Sequence, residues 1–490
     1  MKPGENTRNG LDLQLPNPPT ACHPADGNTM SDPSSAPLRS TDGLLRVTQL
    51  AACFGFMVVQ LDITIVNLAL PTLANDLATD IAGLQWVVDA YTLLFASLLL
   101  SAGAISDRFG ARRSFLIGLS GFLLTSTACG LAQSVTQLVA ARAGQGLFAA
   151  LMVPSSLAVL NHAFAHDPRL RARAMAVWTA SGAAAAAMGL LLGGVLLQTL
   201  GWRSIFFVNL PLCALGIVLA WRVAETPRKA DRRLDLVGQA LTIAGLGGLI
   251  GAIIEMPRLG FDHAVVLGGF GLAALCAIAF ATVQSRIAQP MLPPALFGLP
   301  NFSIALLSAI AISLAYYGLI FVMSLYLQQF AGYTPLQAGL AYVPLTLAFI
   351  AANLLGGRLL ARHGFRVTIV SGLVLCASGF AWLGRLGDGD SYAWILPAFL
   401  AIPAGMGLAM PATTTMILAS VDRSWSGTAA AVLNAVRQTG AALGVALCGL
   451  LLADADGIDA GLRIVCIVCL TGLLLSAGLS WRYIRDGGSA

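Results

Sequence analysis

The feature that most constrains this chain is a succession of long apolar segments that begins after Arg46 and continues almost to the end of the sequence. A helix needs about 20 apolar residues, at about 1.5 Å of rise each, to cross the ~30 Å hydrocarbon core of a bilayer. Fourteen segments approach or exceed that length, and they are continuous rather than alternating, which excludes a membrane β-barrel. We therefore predict an all-α integral membrane protein with fourteen transmembrane helices. The predicted spans are 47–69, 84–105, 114–133, 137–160, 173–198, 204–222, 236–255, 264–284, 302–328, 338–361, 367–386, 392–415, 427–451 and 461–483.

The composition agrees with a membrane protein. Charged residues make up only 10% of the chain and hydrophobic residues 57%. Soluble domains carry roughly 25% charged residues, so this composition excludes an ordinary soluble enzyme. The net charge of +5 is too small to indicate a nucleic-acid-binding protein. The nine cysteines lie mostly inside apolar runs and are interpreted as small apolar side chains, and no metal site is predicted.

Basic residues in the loops indicate the orientation of the chain, because loops rich in Lys and Arg tend to stay in the cytoplasm. With the amino terminus inside, eighteen Lys and Arg residues of the loops and the carboxyl-terminal tail fall on the inner side and four on the outer side. The four outer residues are Arg203, Arg258, Arg385 and Arg463. We therefore expect a multi-pass protein of a bacterial cytoplasmic membrane with both termini in the cytoplasm.

An internal repeat relates the loop after the second span to the loop after the tenth. The first reads GAISDRFGAR from Gly103 and the other GRLLARHGFR from Gly357, an offset of 254 residues. Both loops lie on the inner side, so the two copies run parallel, as in transporters built from two similar halves. The predicted organisation is a disordered cytoplasmic tail (1–46), a six-helix half (47–222), two inserted central helices (236–284), a second six-helix half (302–483) and a cytoplasmic tail (484–490).

Four ionisable residues fall well inside the predicted spans: Asp62, Asp89, Arg142 and Arg437. On insertion scales each costs about 2.5–3.5 kcal/mol at the centre of a helix, so such residues usually face a cavity or a partner. Counted from the span ends, Asp62, Asp89 and Arg142 lie at similar depths in the outer half of the membrane. We predict that these three form a cluster that exchanges protons. The alternative is that the charges are paired and only hold helices together.

Several sequence motifs resemble those of one transporter family. They are LDITIVNLALP from Leu61, QWVVDAYTLLFA from Gln85, GAISDRFGARR from Gly103, LVAARAGQGLFAA from Leu138, GWRSIFFVNLP from Gly201, YLQQFAGYTPLQAGLAYVP from Tyr326 and NAVRQTGAALGVAL from Asn434. In this order they resemble the major facilitator superfamily, and within it the fourteen-span drug:proton antiporter branch with exporters of the methylenomycin-resistance type. The resemblance covers about residues 47–485. It implies proton coupling through Arg142.

The resemblance also implies a gating role for the loop after the second span. The residues that carry it are Gly103, Asp107, Arg108, Gly110, Arg112 and Arg113. In the family this loop is a latch that holds the outward-open state, and Gly103 is expected to permit close helix approach. Alternatively, the arginines of the loop only set the topology. In the fifth span, Gly189, Gly193 and Gly194 are expected to pack closely, although Leu190 replaces the proline of the antiporter motif.

Polar and aromatic residues inside the spans are candidates for a substrate cavity. They are Gln60, Thr64, Asn67, Tyr91, Gln145, Trp178, Tyr316, Tyr317, Gln328, Asn353 and Arg437. We expect only some of them to touch substrate, because others hydrogen-bond between helices.

These patterns predict export of antibiotics or other amphipathic drugs by alternating access, with the proton gradient as the energy source and no other cofactor. The expected partners are the drug, protons and the lipid bilayer, with no nucleic acid, and the chain is expected to be a monomer. One alternative is a transporter of the same fold that exports an endogenous metabolite or lipid. Another is an integral membrane enzyme, but no catalytic residues are predicted, because the five histidines lie in the tail or loops without an HExxH pattern. A receptor would need a soluble input domain, for which the loops are too short.

Overall fold

The computed structural model describes residues 38–228, 235–287, 290, 292, 294–387, 391–422, 425–455 and 457–485. Most of the amino-terminal tail that we expect to be disordered (1–37) lies outside the described residues, as do residues 486–490 of the expected carboxyl-terminal tail. Residues 38–46, also assigned to the tail, instead belong to the first helix. The contacts described below belong to one compact unit that begins at Gly43.

Within these ranges the chain forms fifteen α-helices and no strand, which confirms the predicted all-α fold. The helices are α1 (Leu38–Asp76), α2 (Ile81–Phe109), α3 (Ala111–Gly130), α4 (Val135–Ala163), α5 (Pro168–Leu200), α6 (Ser204–Phe207), α7 (Asn209–Trp221), α8 (Leu236–Leu259), α9 (Ala264–Arg286), α10 (Pro300–Leu325), α11 (Pro335–Ala341), α12 (Val343–Leu383), α13 (Tyr392–Ala419), α14 (Ser426–Ala453) and α15 (Ile458–Tyr483). A 3₁₀-helix (Pro294–Gly298) precedes α10, and a π-helix (Tyr326–Phe330) follows it.

Twelve helical stretches of the described residues are long and apolar enough to cross a membrane, against the fourteen spans expected from the sequence. The expected span 114–133 corresponds to α3, which is not among the twelve and carries Arg112 and Arg113 in its first turn. The stretch Pro335–Leu383 counts once, although Gly364 interrupts α12 with a non-helical backbone of φ 76°. These lengths and compositions define a multi-pass membrane protein.

Side chains at the helix starts explain where several of the helices begin. The Asp80 carboxylate accepts a hydrogen bond from the Gly83 amide (2.9 Å) at the start of α2, and the Ser134 hydroxyl caps α4 in the same way. Before α11, Thr334 and Gln337 form a capping box, and a proline occupies the first turn. Polar side chains just before these helices therefore satisfy backbone amides at the helix starts.

Small residues let neighbouring helices approach each other closely in the interior of the bundle. A side chain at Gly146 in α4 would meet the backbone carbonyl of Tyr91 in α2, and one at Gly444 in α14 would meet the carbonyl of Leu314 in α10. Close packing of this kind stabilises helix pairs in lipid, where the hydrophobic effect does not drive helices together. The contact between α2 and α4 brings together two of the helices that carry intramembrane charges.

The helices before α8 contact those after α9 along a set of bonds that we call the seam. Gln85 in α2 donates from Nε2 to the carbonyls of Val445 (3.1 Å) and Ala446 (2.7 Å) in α14. Gln328 in the π-helix donates to the carbonyl of Leu68 in α1 (2.9 Å). All of these residues lie towards the helix ends that lead into the loops expected on the outer side. The seam therefore joins the two groups of helices at one end of the bundle.

The first of the two inserted helices, α8, lies across the seam. Its Glu255 accepts a hydrogen bond from Trp86 Nε1 (2.9 Å), and its Gln239 donates to the Ser97 carbonyl (2.9 Å), both partners being in α2. The cluster around Ile250 that joins α8 to α14 consists of apolar side chains. The helix α8 is thus tied to α2 by polar bonds near both of its ends and to α14 by apolar packing.

Loosening the seam is expected to shift the chain towards a state that is open at this end. Gln85→Leu removes two hydrogen bonds to α14, each worth about 1 kcal/mol, so the open population should rise by about tenfold or more. Spin labels at the exposed positions Asp80 and Asp454 should then report longer distances than in the parent chain. Gln198→Leu, at an exposed position of α5, is the matched control. An unchanged distance distribution in Gln85→Leu would contradict this prediction.

Candidate functional site

Two of the predicted intramembrane charges form an ion pair in the interior of the bundle. Arg142 Nη1 in α4 lies 2.5 Å from Asp62 Oδ2 in α1. The Asp62 side chain is fully buried, and that of Arg142 is only 2% exposed. Taking two such charges out of water costs several kcal/mol per ion, so the pair needs further hydrogen bonds to be stable.

Neutral polar side chains supply those hydrogen bonds around Asp62. Asp62 Oδ1 accepts from Asn209 Nδ2 in α7 (2.9 Å) and from Gln145 Nε2 in α4 (3.3 Å). Both amides also donate to the Ser126 hydroxyl of α3, each at 3.0 Å. Arg142 Nη1 donates in addition to Gln145 Oε1 (2.8 Å). We call these five residues the ion-pair site, and it is held by α1, α3, α4 and α7 together.

The guanidinium of Arg142 is held on its other side by α2. Its Nε donates to the carbonyl of Val87 (3.1 Å), and its Cζ lies 4.3 Å from the centre of the Tyr91 ring. Val87 and Tyr91 are one helical turn apart, so they present the same face of α2 to α4. The carbonyl and the cation–π contact stabilise the arginine beside the carboxylate.

The ion pair joins a carboxyl group, which can be charged or neutral, to an arginine whose charge is fixed. When Asp62 is ionised, Arg142 balances its charge. When Asp62 takes up a proton, Arg142 retains only neutral acceptors, because arginine does not lose its own proton in proteins. The charge state of the Asp62 carboxyl therefore determines the interaction between α1 and α4.

Asp89, the third residue of the predicted cluster, makes no hydrogen bond to the ion-pair site, and its part in proton exchange stays a prediction. It lies two residues from both Val87 and Tyr91, which places it about 200° around α2 from them. It shares the face of Gln85, one turn away, which bonds to α14. Its side chain is fully buried, and within the described part of the chain neither carboxyl oxygen has a hydrogen-bond partner. Asp89 is thus a second buried carboxyl, located at the seam.

The fourth intramembrane charge, Arg437 in α14, is bound to α13. Its Nη2 donates to Thr414 Oγ1 (2.9 Å), to the Met410 carbonyl (3.2 Å) and to Thr413 Oγ1 (3.4 Å). The side chain is only partly buried, unlike that of Arg142. Arg437 therefore links two helices through neutral acceptors and keeps some exposure inside the bundle.

The predicted gating loop turns at Gly110, whose φ of 99° favours glycine. Arg112 donates from its guanidinium to the carbonyl of Trp221 at the end of α7 (2.6 Å), and its amide donates to Glu225 Oε1 (3.1 Å). Arg113 Nε lies 3.8 Å from Glu225 Oε2. Glu225, which follows α7, is the acidic partner of the loop and was not among the residues predicted from the sequence.

The other predicted residues of this loop lie in the last turns of α2. A side chain at Gly103 would meet open space, so the expectation that Gly103 permits close helix approach is wrong. Asp107 is half-buried, and Arg108 is exposed with its guanidinium 5.7 Å from the ring centre of the neighbouring Phe109. An exposed arginine at this position can reach lipid head groups, as its role in topology requires.

The repeat seen in the sequence is also a structural repeat. Gly364 has φ 76°, as its counterpart Gly110 has a positive φ. Arg366 donates from Nε to the carbonyl of Ile484 just beyond α15 (2.9 Å), as its counterpart Arg112 donates to the end of α7. Each copy of the loop is therefore tied to the end of the last helix of its own group.

Several candidate cavity residues lie inside packed protein rather than on an open wall. Tyr91 and Gln145 are buried at the ion pair, and Asn67 is buried and donates to the carbonyl of Ile63 (2.8 Å). Gln328 belongs to the seam. In this structure these four residues contact other parts of the chain, and Gln328 keeps some exposure. Their place in the substrate cavity stays a prediction.

The remaining cavity candidates keep some exposure inside the bundle. They are Gln60, Thr64, Trp178, Tyr316, Tyr317, Asn353 and Arg437. Trp178 of α5 stacks on Phe56 of α1 with ring centres 3.9 Å apart, and the two adjacent tyrosines of α10 meet edge to face at 5.5 Å. These four aromatic side chains therefore keep part of their surface exposed.

The three glycines of α5 pack against neighbouring helices, as expected. A Cβ at Gly193 would lie 2.8 Å from Ile65 of α1, and one at Gly194 would lie 2.9 Å from the carbonyl of Pro335 in α11. Gly189 faces α1 as well. The helix runs without interruption through the position where the antiporter motif has a proline.

Among the described residues, no group of three or more His, Cys, Asp or Glu side chains could hold a metal ion. Cys466 and Cys469, one turn apart in α15, are free and buried. They lie in the hydrophobic core, where each behaves as a small apolar side chain.

A bundle of membrane-length helices around a sealed, charged site is the architecture of a secondary membrane transporter. The fold is shared with the crystal structure of a D-xylose-proton symporter, at a TM-score of 0.68 and 14% identity, over 90% of this chain and 98% of that one. At this identity the likeness concerns the fold alone.

The sequence matches the Major Facilitator Superfamily over residues 52–445, and the chain belongs to this family, which is one of transporters rather than enzymes. It is 34% identical to the methylenomycin A resistance protein of Streptomyces coelicolor, over 90% of this chain and 92% of that protein. It is 36% identical to the multidrug resistance protein Stp of Mycobacterium tuberculosis, over 83% of this chain and 76% of that protein.

Proposed function

We propose that this chain exports antibiotics or other amphipathic drugs in exchange for protons. The observation that carries the proposal is the fully buried pair of Asp62 and Arg142 in a transporter fold. Relatives that cover most of the chain are named as methylenomycin A resistance and multidrug resistance proteins, which supports a drug as the substrate. The proton gradient is the proposed energy source, without a further cofactor.

In the proposed cycle, proton uptake by Asp62 releases Arg142 from its carboxylate and lets α1 and α4 move relative to each other. Asp89 acts as a second proton site at the seam. A neutral, protonated Asp89 is compatible with burial between α2 and α14, whereas an ionised one requires water or a partner. The seam is therefore expected to stay closed while Asp89 carries a proton and to open when it loses the proton.

Fourteen spans, in two six-helix halves (47–222 and 302–483) with α8 and α9 between them, are part of the same proposal. Two observations support the number: α3 has 20 residues, the length of a span, and the break at Gly364 separates two helical pieces of α12. The repeated bonds of Arg112 and Arg366 support two related halves. This organisation is that of the fourteen-span drug:proton antiporter branch.

The proposed location is a bacterial cytoplasmic membrane, with both termini in the cytoplasm and the chain acting as a monomer. The excess of basic residues in the loops on one side supports this orientation. The seam then lies on the outer side, so the structure represents a state that is closed to the outside.

The loop from Gly103 to Arg113 is proposed as a cytoplasmic latch. The bonds of Arg112 to Trp221, and of Arg112 and Arg113 to Glu225, hold the turn between α2 and α3 against the end of α7. They would keep this end of the first half rigid while the two halves rock. The exposed Arg108 would anchor the loop to lipid head groups.

Everted membrane vesicles provide the test of this function. Vesicles that contain the chain should accumulate drugs from a panel of antibiotics and cationic dyes once respiration acidifies their interior, and a protonophore should abolish the accumulation. Vesicles without the chain are the control. Accumulation that survives the protonophore would contradict proton coupling. Failure to move any compound of the panel, together with transport of a lipid or metabolite, would favour the alternative exporter.

A further inference from the structure

Asn209 lies in the motif GWRSIFFVNLP, which the ion pair by itself does not explain. It is the first residue of α7, and its side chain is fully buried. Instead of capping its own helix, the amide reaches across to α1 and α3. Its Nδ2 lies 2.9 Å from Asp62 Oδ1 and 3.0 Å from Ser126 Oγ.

The side chains that reach the Asp62 carboxylate all present donors to it. Oδ2 accepts from Arg142, and Oδ1 accepts from Gln145 and Asn209. Ser126 accepts from both amides while its own hydroxyl donates to a carbonyl of α6 (3.0 Å). This shell suits an ionised carboxylate, because a protonated carboxyl brings an O–H group that needs an acceptor.

The oxygen of the Asn209 amide is an acceptor that has no hydrogen-bond partner among the described residues. This oxygen, Oδ1, is buried. A buried oxygen without a partner is costly and calls for an explanation. A half-turn of the amide about its last bond exchanges Oδ1 and Nδ2, so the same side chain can offer Asp62 either a donor or an acceptor.

We propose that Asn209 is a positioning residue for Asp62, which donates to the ionised carboxylate and turns to accept from the protonated carboxyl. The proposal rests on the proposed function of proton-coupled export. A proton taken up from the aqueous phase binds Asp62 Oδ1, the hydrogen bonds from Asn209 Nδ2 to Asp62 Oδ1 and to Ser126 Oγ break, and a new hydrogen bond forms from the Asp62 O–H to Asn209 Oδ1. No covalent bond of Asn209 changes. The carboxyl thus stays attached to α7 in both states, while Arg142 is released in only one of them.

The charged and titratable groups that face Asp62 come from four helices. They are Arg142 of α4, Tyr91 of α2, Cys129 of α3 and Cys213 of α7. Of these, Arg142 carries a charge at neutral pH, whereas tyrosine and cysteine side chains are neutral there. The amide of Asn209 therefore acts next to one fixed cation.

The test measures the protonation of Asp62 directly in the purified full chain. Infrared spectra record the C=O band of the protonated carboxyl as a function of pH, and the loss of that band in Asp62→Asn assigns it. Asn209→Leu removes the hydrogen bond of both states, but the bond to the charged state is about twice as strong. The titration midpoint should therefore move to higher pH by about one pH unit.

A second variant keeps the shape of the site. Asn209→Asp loses the N–H donor and adds a like charge, so it should move the midpoint further in the same direction. Asn301→Leu is the matched control, because Asn301 also makes two hydrogen bonds, both of 3.0 Å to the backbone of Arg485, but it is only half-buried and makes no bond to Asp62. Its midpoint should equal that of the parent chain.

Unmoved midpoints in both Asn209 variants would overturn the proposal, and if Asn209→Leu does not fold, Asn209→Asp alone decides. Drug accumulation by the same variants in vesicles separates this result from the proposed function. An Asp62 that titrates as expected in a chain that moves no drug would refute proton-coupled export and leave the role of Asn209 standing. Drug export with unmoved midpoints would refute the role of Asn209 only.

Discussion

Asp62→Asn is expected to abolish proton-driven export while the chain remains folded in the membrane. Asparagine keeps the shape of the side chain but cannot take up or release a proton, so the ion-pair site is left with one state instead of two. Arg142 retains the Val87 carbonyl, Gln145 Oε1 and the Tyr91 ring as partners. Resistance of a pump-deficient host to a panel of antibiotics and dyes should fall to the level of the empty vector.

The control for this experiment is a carboxylate that acts only as a helix cap. Asp167 is exposed and accepts hydrogen bonds from the amides of Arg169 (2.8 Å) and Leu170 (3.1 Å) at the start of α5. Asparagine caps a helix about as well as aspartate, so Asp167→Asn should keep full resistance. Equal amounts of both variants in the membrane fraction make the comparison valid. Full resistance in Asp62→Asn would refute coupling through this residue.

Arg142→Met is expected to cause the largest loss of stability among single changes at the ion-pair site. It leaves the buried Asp62 carboxylate without its cation, and the loss of one partner of a buried ion pair costs about 3–5 kcal/mol. A second change, Asp62→Asn, removes the orphaned charge. The double variant should therefore recover most of the lost stability, seen as a higher Tm in thermal unfolding of the purified chain.

The same pair of variants separates the two interpretations of the buried charges. If Asp62 and Arg142 only hold helices together, the double variant should regain transport along with stability. If they exchange protons, it should regain stability and still export nothing, because neither position can then bind and release a proton. A double variant less stable than Arg142→Met would show that the two residues do not act as a pair.

The ion pair could be predicted from the sequence, because a charge inside an apolar span is costly and is kept only with a partner or a purpose. Asp62 and Arg142 stand out in their spans for this reason, and counting residues from the span ends gave them similar depths. The same reasoning placed Asp89 in the cluster, since its depth is also similar. Depth along a helix does not determine the direction of a side chain around the helix axis, and Asp89 shares the face of α2 on which Gln85 bonds to α14.

Two of the neutral members of the site, Ser126 and Asn209, could not be found in this way. Ser126 and Asn209 are among many uncharged polar residues. The hydrogen bonds of Asn209 to Asp62 and to Ser126 span large separations along the chain. Glu225, the partner of the gating loop, lies beyond the end of a predicted span. An acidic residue outside the spans has no burial cost, so its presence there predicts no particular role. A signal existed only for Asn209, which lies in a motif that the sequence analysis had singled out.

Hydropathy, loop charge and the repeated loop motif are properties of the linear chain, and by themselves they determined an all-helical membrane protein with two related groups of helices. They also singled out Asp62 and Arg142, because burying a charge is expensive wherever the helix finally packs. The tertiary structure alone decided which faces meet: Asp62 with Arg142 and Asn209, Asp89 with the seam. Which faces meet depends on the rotation of each helix about its axis and on close packing at small residues. Both are properties of several helices together, so they cannot be read from one helix alone.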